Sequence, residues 1–599
     1  MQIGIARGLA PHLVAALLTP FRLLSGAVHT FEAHFLLGWS LLLALIVLGG
    51  LYFAKQIPSK LSSGRANYRD VAAPGIFDRL SVALSFLFLS AYCYLVFYKE
   101  AFLYYDDDML TEFSLRGKSF APPIWPDTGR FYPLADQEFN FLQHFTRSPF
   151  GYHAIVVAEL LALVCILYLV LGEFRVRYRV VILVCAMALP SVMIPFFGFV
   201  YPERNVLFWL AVLIFCLQRY DQTGGKAYFI GSLIATHCAL YYKELVILFV
   251  GIFAITRIGL DLREARTTAR SWMDVAKDNL VPLGMLVVCS IYVGLFLLAM
   301  VPHHQFSYIA EHQQTLAETL WVYLKIDWLP FLMLAVFLAR LASWLREGFV
   351  LDPVWDPLAA GALAYGGALI VLKLVSGYYM APVDVTALLY LAFISLRWAS
   401  VPGRADRGWV TGVTAALVFL QAFAYSSFRV IERKNMITTK SQLVEFLRGY
   451  QQQAPAGRIE LFFPYATGYH LMGLASYLNY EGFHLAGEAD DPADNSPKLA
   501  IESPRNLTDE RCVPYRNYSC FHVKRPSPGA LIVVLPDDEV SALELETLEK
   551  QSSRVLSING SVMAPGTSLE LRPLHAISAE FSSRELPDHW LQLDVLKQN

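Results

Sequence analysis

The stretch HAIVVAELLALVCILYLVLGE, running from His153 to Glu173, reads as one membrane-crossing helix. About 20 consecutive apolar residues, rising 1.5 Å each, cover the roughly 30 Å hydrocarbon layer of a bilayer. The run is not alone. Apolar runs of the same kind fall near 33–53, 79–98, 180–200, 206–218, 227–241, 245–258, 280–301, 328–345, 358–376, 382–398 and 409–426. The expected fold class is therefore an α-helical polytopic membrane protein of about 12–13 helices. Residues 3–25 are interrupted by Arg7, Pro11, Pro20 and Arg22, so the segment 1–32 is expected to lie amphipathically at the interface, a thirteenth span being the alternative. No small-residue cleavage site follows the first apolar stretch, so retention of the first hydrophobic segments is expected.

Composition agrees with the spans. Of 599 residues, 56% are hydrophobic and only 16% charged, too apolar for a soluble chain of this size. A net charge of −2 gives no field for polyanions, and no Lys/Arg stretch alternates with aromatics, which sets nucleic acid aside as a partner. Six of the eight cysteines sit in apolar runs, where a thiol acts as a small hydrophobe. Cys512 and Cys520 stand in the polar tail eight residues apart, and are expected to form a disulfide in an oxidising compartment, two free thiols being the alternative.

Orientation follows from the basic loops. Lys55, Lys60, Arg65 and Arg69, then Arg175, Arg177 and Arg179, then Arg263, Arg266, Arg270 and Lys277, then Arg404 and Arg407 all fall on one side of a twelve-span count. That side is expected to be cytoplasmic. The loop 99–152, the turns near 201–205 and 242–244, the loop 302–327, the turn 377–381 and the tail then face outward. This divides the chain into the interfacial segment 1–32, a transmembrane domain 33–426 with its outer loop 99–152, and a soluble extracytoplasmic domain 427–599. In that tail short apolar runs (Ile459–Phe463, Ala530–Leu535, Val555–Ile558) alternate with helix-like stretches (His470–Asn479, Val540–Lys550), the pattern of a small α/β domain. No Gly-rich phosphate loop or nucleophile elbow is present there, so a lid or acceptor-recognition module is expected. The sequon matches at Asn506, Asn517 and Asn559 carry little information. The runs 206–218 and 227–241 are short for a full crossing, which suggests a cavity or thinned membrane around the turn Tyr241-Tyr242-Lys243-Glu244.

The chemistry concentrates in the first outer loop. Tyr104-Tyr105-Asp106-Asp107-Asp108 follows the second span directly, with Gly117, Trp125, Gly129-Arg130-Phe131 and Asp136-Gln137-Glu138 after it. Three carboxylates at the lip of a span are either a solvated helix start or the source of a general base whose pKa is raised by like charges. Adjacent side chains on a helix diverge by about 100°, so all three cannot serve one point.

This loop resembles families of the membrane-embedded GT-C glycosyltransferase superfamily, particularly the phage-type O-antigen glucosyltransferases and the polyprenyl-phosphate-dependent arabinosyltransferases. The likeness is carried by Asp106-Asp107, Gly117, Trp125 and Gly129-Arg130-Phe131, about 50 residues in all, and loosely by the many spans with a C-terminal domain. The extra span before the loop departs from the superfamily's commonest arrangement. The resemblance implies a GT-C-like fold and inverting transfer of a sugar from a polyprenyl-phosphate-linked donor, with a loop aspartate as base. It also points to Glu203 and Arg204 (with Asn205 where an acid is expected), to Lys243 near the donor phosphate, and to Tyr378 and Tyr379 before a late span. Interface anchoring and snorkelling are the alternatives for these residues.

Chemically, Arg130, Arg204 or Lys243 would stabilise charge developing on a leaving phosphate. A divalent cation is compatible with the aspartate run and is left open. His303-His304 has no third metal ligand at suitable spacing. The acceptor is left open among glycan, lipid and protein, the membrane being a bacterial plasma (inner) membrane with the site facing the periplasm. The competing functions are a secondary transporter, which would place ionisable groups near the midplane and show repeats, and a membrane-anchored binding protein, for which a dozen spans are more than enough.

Overall fold

All twelve apolar runs fold as helices in the computed structural model, which describes residues 34–55, 76–103, 107, 110–115, 117–125, 129–268, 270–300, 315–347, 350–399, 408–453, 458–466, 468–486, 498–504, 520–536, 538, 540–562, 570–573 and 589–599. The interfacial segment 1–32 lies outside them. In chain order the first elements are α1 (Phe35–Ala54) and α2 (Ile76–Phe97), then a π-helical turn (Leu110–Ser114), the short strands β1 (Ile124–Trp125) and β2 (Arg130–Phe131), and α3 (Gln137–Leu142). The helices α4 (Pro149–Val170), α5 (Val176–Ala188), α6 (Pro190–Phe197), α7 (Pro202–Thr223) and α8 (Lys226–Leu240) follow. Next come α9 (Val246–Thr268), α10 (Trp272–Asp278), α11 (Leu280–Met300), α12 (Leu316–Ile326), α13 (Leu329–Glu347), α14 (Trp355–Val371), α15 (Ala381–Ala399) and α16 (Gly408–Gln453). Among the described residues five helices are long and apolar enough to cross a membrane, or six if the pair α5 and α6 makes one span broken by a 65° bend. The break falls at Leu189-Pro190, where proline removes a backbone donor and restricts the residue before it.

One expectation is corrected here. The run 206–218 is not a short helix: α7 covers 22 residues, about 33 Å at 1.5 Å each. Its apolar stretch looks short because Glu203, Arg204 and Asn205 at one end and Gln218 near the other are charged or polar, yet all four are buried. By contrast α8, with 15 residues, is as short as its sequence suggests.

Small residues let these helices approach closely. A Cβ at Gly361 on α14 would stand 2.3 Å from the Phe249 carbonyl oxygen of α9, so those two helices pack backbone on backbone. Within the same bundle α8 packs on α7, α1 and α11, and α4 on α7.

The tail builds a six-stranded sheet from β3 (Arg458–Phe462), β4 (Lys498–Ser503), β5 (Cys520–His522), β6 (Leu531–Val534), β7 (Ser552–Asn559) and β8 (Gln592–Gln598), in the order β5-β4-β3-β6-β8-β7. Strands β5, β4, β3 and β6 run parallel to one another, and β8 pairs antiparallel with β6 and β7. Helices α17 (Gly468–Tyr480) and α18 (Ala542–Glu549) accompany them, so the tail is the expected small α/β domain. Two features position the site. Phe102, Leu110, Phe120, Phe139 and Phe199 share one hydrophobic core with Leu443, Leu461, Leu471, Ile501 and Val595, so the first loop and the tail lie on the same face of the bundle. And α16 runs unbroken for 46 residues from the last apolar run into the tail, through position 427 where the sequence suggested a domain boundary.

Exposed positions test the shared face: single cysteines at Ser119 and Ser553 are both expected to react with an impermeant thiol reagent from the same side of an intact membrane. Labelling of one without the other would break this topology.

Candidate active site

The chain leaves α2 through Lys99, held at φ 48°, and enters the loop with Ala101, Phe102 and Leu103 already buried. Asp107 follows, 2% exposed, just ahead of the π-helical turn, a geometry rare in general and frequent at functional sites. Its carboxylate lies 3.5 Å from the Arg433 guanidinium of α16, an ion pair rather than a good hydrogen bond. Asp106 and Asp108 lie outside the described residues. Further along the loop Asp136 adopts φ 64° immediately before α3, a left-handed conformation that Asp tolerates better than most residues.

A chain of close contacts leads from Asp107 across the site. Arg433 passes beside Gly198, where a Cβ would fall 2.9 Å from its Nη1 and 1.9 Å from the Tyr201 ring. Gly198 is extended (φ −110°, ψ 173°), so the glycine is required for space rather than for conformation. The Tyr201 ring stacks edge-on with Tyr378 at 4.8 Å, Tyr378 with Tyr379 at 4.8 Å, and the Lys243 ammonium sits 4.6 Å from the Tyr379 ring centre. Lys243 in turn donates to Glu203 Oε1 at 2.6 Å. Residues nominated from four separate stretches of sequence, with Arg433 and Tyr201 between them, thus stand in one continuous constellation.

The other nominated cations are held by carboxylates that sequence reading did not assign to them. Arg130 Nε donates to Glu244 Oε1 at 3.0 Å, and the Phe131 backbone N–H reaches the same oxygen at 2.9 Å. Burial would raise the Glu244 pKa, but Arg130 and Lys243 prevail and hold it below the usual carboxylate range. Arg204, 1% exposed, donates to Glu159 at 2.6 Å, to Glu138 at 2.9 Å and to the Phe199 carbonyl, and Asn205 also donates to Glu138 at 2.9 Å. This network ties the start of α7 to α3 and α4. It also accounts for Asn205 standing where an acid was expected: a third carboxylate beside Glu138 and Glu159 would add repulsion, whereas an amide supplies a hydrogen bond.

Missed altogether were Arg433 and Lys434, each 5% exposed on α16. Lys434 Nζ donates to the Val96 carbonyl at 3.0 Å and lies 5.9 Å from the Phe197 ring centre. Burial pulls the Lys434 pKa down to about 7, with Arg433 adding to the fall. Burial likewise pushes Glu100, close by, up to about 7. Their signal was present: no proline or glycine separates Gly412 from Gly449, so the last apolar helix has nothing to end it before 427.

Among the described residues no three His, Cys, Asp or Glu side chains come together as a metal site. Asp106, Asp108 and His303-His304 lie outside them. So does Cys512, the partner expected for Cys520, which sits on the edge strand β5. The remaining six cysteines are free. Replacing Gly198 by Ala should push Tyr201 and Arg433 aside and lower activity about ten-fold with little change in unfolding temperature, since a displacement of ~1 Å near reacting groups is costly. Wild-type turnover in that variant would show the close approach to be incidental.

No protein-family model matches the chain, and no curated protein matches it. Among solved structures it is similar to ArnT from Cupriavidus metallidurans bound to undecaprenyl phosphate, at 14% sequence identity over 86% of this chain and 97% of that one, with a TM-score of 0.38. The apo state of the same protein gives 14% identity, the same coverage and a TM-score of 0.37. Likeness at that level fixes neither a shared fold nor a shared chemistry.

Proposed function

We propose that this protein is a GT-C type glycosyltransferase that moves a sugar from a polyprenyl-phosphate-linked donor to an acceptor hydroxyl of a glycan, lipid or protein on the extracytoplasmic face of a bacterial inner membrane. The observation that carries this reading is the convergence of an aspartate loop, buried cations and a tyrosine row at one end of a bundle of apolar helices, roofed by a domain that shares a core with the loop. A polyprenyl phosphate enters from the lipid and a polar acceptor from water, so a transferase joining them needs its reacting groups at that junction.

The reaction balances with few parts. The acceptor oxygen attacks the anomeric carbon and its proton passes to a carboxylate, Asp106 or Asp107, while the bond from that carbon to the phosphate oxygen breaks and polyprenyl phosphate departs with the electron pair. Attack opposite the leaving phosphate inverts the anomeric centre. Arg433 beside Asp107 fixes the direction of that carboxylate, and the cations of the site meet the charge that grows on the phosphate. Tyr378 and Tyr379 supply flat faces for a sugar ring or an isoprenoid head. Asp107, Glu203, Lys243, Tyr378 and Tyr379 stand at or just beyond helix ends, where a lipid-borne donor and a water-side acceptor can both reach them, and this favours transfer over transport.

The test is direct. Full-length protein in lipid nanodiscs, given a labelled polyprenyl-phosphate sugar and a membrane extract as acceptor source, is expected to release polyprenyl phosphate and transfer label. Binding of the lipid phosphate with no cleavage under any acceptor would leave a carrier or sensor in its place.

A further inference from the structure

Charge pairing divides the cations of the site into two sets. Arg130, Arg204 and Lys243, the groups that sequence suggests for a donor phosphate, each already meet a carboxylate at 3.0 Å or less. A phosphate approaching any of them competes with a hydrogen-bonded carboxylate, or is repelled by it. Lys434 is different. Among the described residues its ammonium, with three protons to donate, makes one hydrogen bond, to the Val96 carbonyl, and has no carboxylate within ion-pair range. The charged groups that face it are Arg433, Glu100 and Asp107, and His153 on α4 lies within the field of Arg433, Lys434 and Arg204.

Building on the function proposed above, we propose that Lys434, with Arg433 beside it, is the cationic subsite that receives the phosphate of the lipid donor and stays with it as polyprenyl phosphate leaves. The position suits the ligand. Lys434 approaches the last turn of α2 and the Phe197 end of the broken pair α5 and α6, that is, the edge where apolar helices give way to the aspartate loop. Arg433 touches Asp107, so a phosphate on this pair is delivered next to the base. The two side chains diverge by about 100° along the helix, Arg433 toward the aspartate and Lys434 toward the end of α2, so they would meet different oxygens of one phosphate. A buried ammonium whose proton is only loosely held near neutral pH also gains most from an arriving anion, because the anion replaces the solvation that burial removed. The competing role is purely structural: a lysine on the Val96 carbonyl satisfies the end of α2.

Undecaprenyl phosphate and its uncharged counterpart undecaprenol serve as probes, with full-length protein in nanodiscs. Wild type is expected to prefer the phosphate, and Lys434→Met and Arg433→Gln to weaken phosphate binding by about 10- to 100-fold, as loss of a charge-assisted hydrogen bond requires, with undecaprenol retention unchanged. A second readout does not depend on the neutral variant folding. At pH 8 binding of the phosphate should draw a proton from solution onto Lys434, seen by calorimetry in buffers of different ionisation heat. Lys434→Arg, whose guanidinium is charged throughout, should bind the phosphate while losing most of that uptake. Phosphate affinity within two-fold of wild type in a folded Lys434→Met protein, or undiminished uptake in Lys434→Arg, overturns the assignment and leaves Lys434 as a helix cap. Failure of wild type itself to prefer undecaprenyl phosphate over undecaprenol removes the lipid-phosphate donor altogether, and with it this subsite.

Discussion

Replacing Asp107 by Asn is expected to lower sugar transfer by about 10²- to 10⁴-fold, the usual worth of a general base, with lipid-phosphate binding retained or slightly tightened. The sign of the binding effect follows from geometry. Asp107 is the carboxylate beside Arg433 at 3.5 Å, so removing its charge leaves the guanidinium less neutralised toward an anion while depriving the acceptor hydroxyl of its proton acceptor. An amide keeps the size and can still accept a hydrogen bond, which confines the loss to proton transfer. Asp106→Asn is the companion measurement, because one base suffices and only one of the two is expected to show the full effect. Transfer within a few-fold of wild type in both, and in Asp108→Asn as well, measured with a labelled polyprenyl-phosphate sugar, would exclude a loop aspartate as base.

The second large effect is on stability. Arg204 is 1% exposed and holds Glu159 and Glu138 in one network with Asn205 and the Phe199 carbonyl. Taking away the buried member leaves Glu138 and Glu159, 18% and 23% exposed, charged without compensation, a loss toward the lower end of the about 3–5 kcal/mol that breaking a fully buried pair costs. Arg204→Met should therefore lower the unfolding temperature sharply and reduce the yield of folded protein. Replacing the network together, with Glu138→Gln and Glu159→Gln added to Arg204→Met, should recover much of the loss, since no buried charge then remains. A single variant as stable as wild type would show the pair to be solvated in the membrane-bound protein.

The comparison with sequence separates what is local from what is not. A run such as 153–173 announces a helix because lipid demands some 20 apolar residues in a row, and β3, β6 and β7 announce themselves by short apolar runs. Strand β4, Lys-Leu-Ala-Ile-Glu-Ser, is hidden by its Lys and Glu, though five of its six residues are buried. The aspartate loop, Lys243, Glu203 and the tyrosines were recognisable because charge and aromatic clusters at span ends are unusual locally. Their partners were not. Glu138 and Glu159 reach Arg204 from 66 and 45 residues away, and Glu244 reaches Arg130 across 114, separations that no spacing rule connects. Arg433 and Lys434 escape the sequence for another reason: the apolar stretch ends near 426 and the polar residues after it read as tail, while α16 simply continues.

That continuity bears on how such a protein can be divided or recombined. A rod of 46 residues, roughly 70 Å long, begins in the last apolar run and ends at the first strand of the sheet, with Arg433 and Lys434 along its way. The tail is consequently not an exchangeable attachment. A graft joined where lipid ends would import the donor's arginine and lysine together with its sheet, and a truncation there would discard them. Swapping the tail between two such proteins would trade Arg433 and Lys434 along with the sheet, so the two would be inherited as one unit.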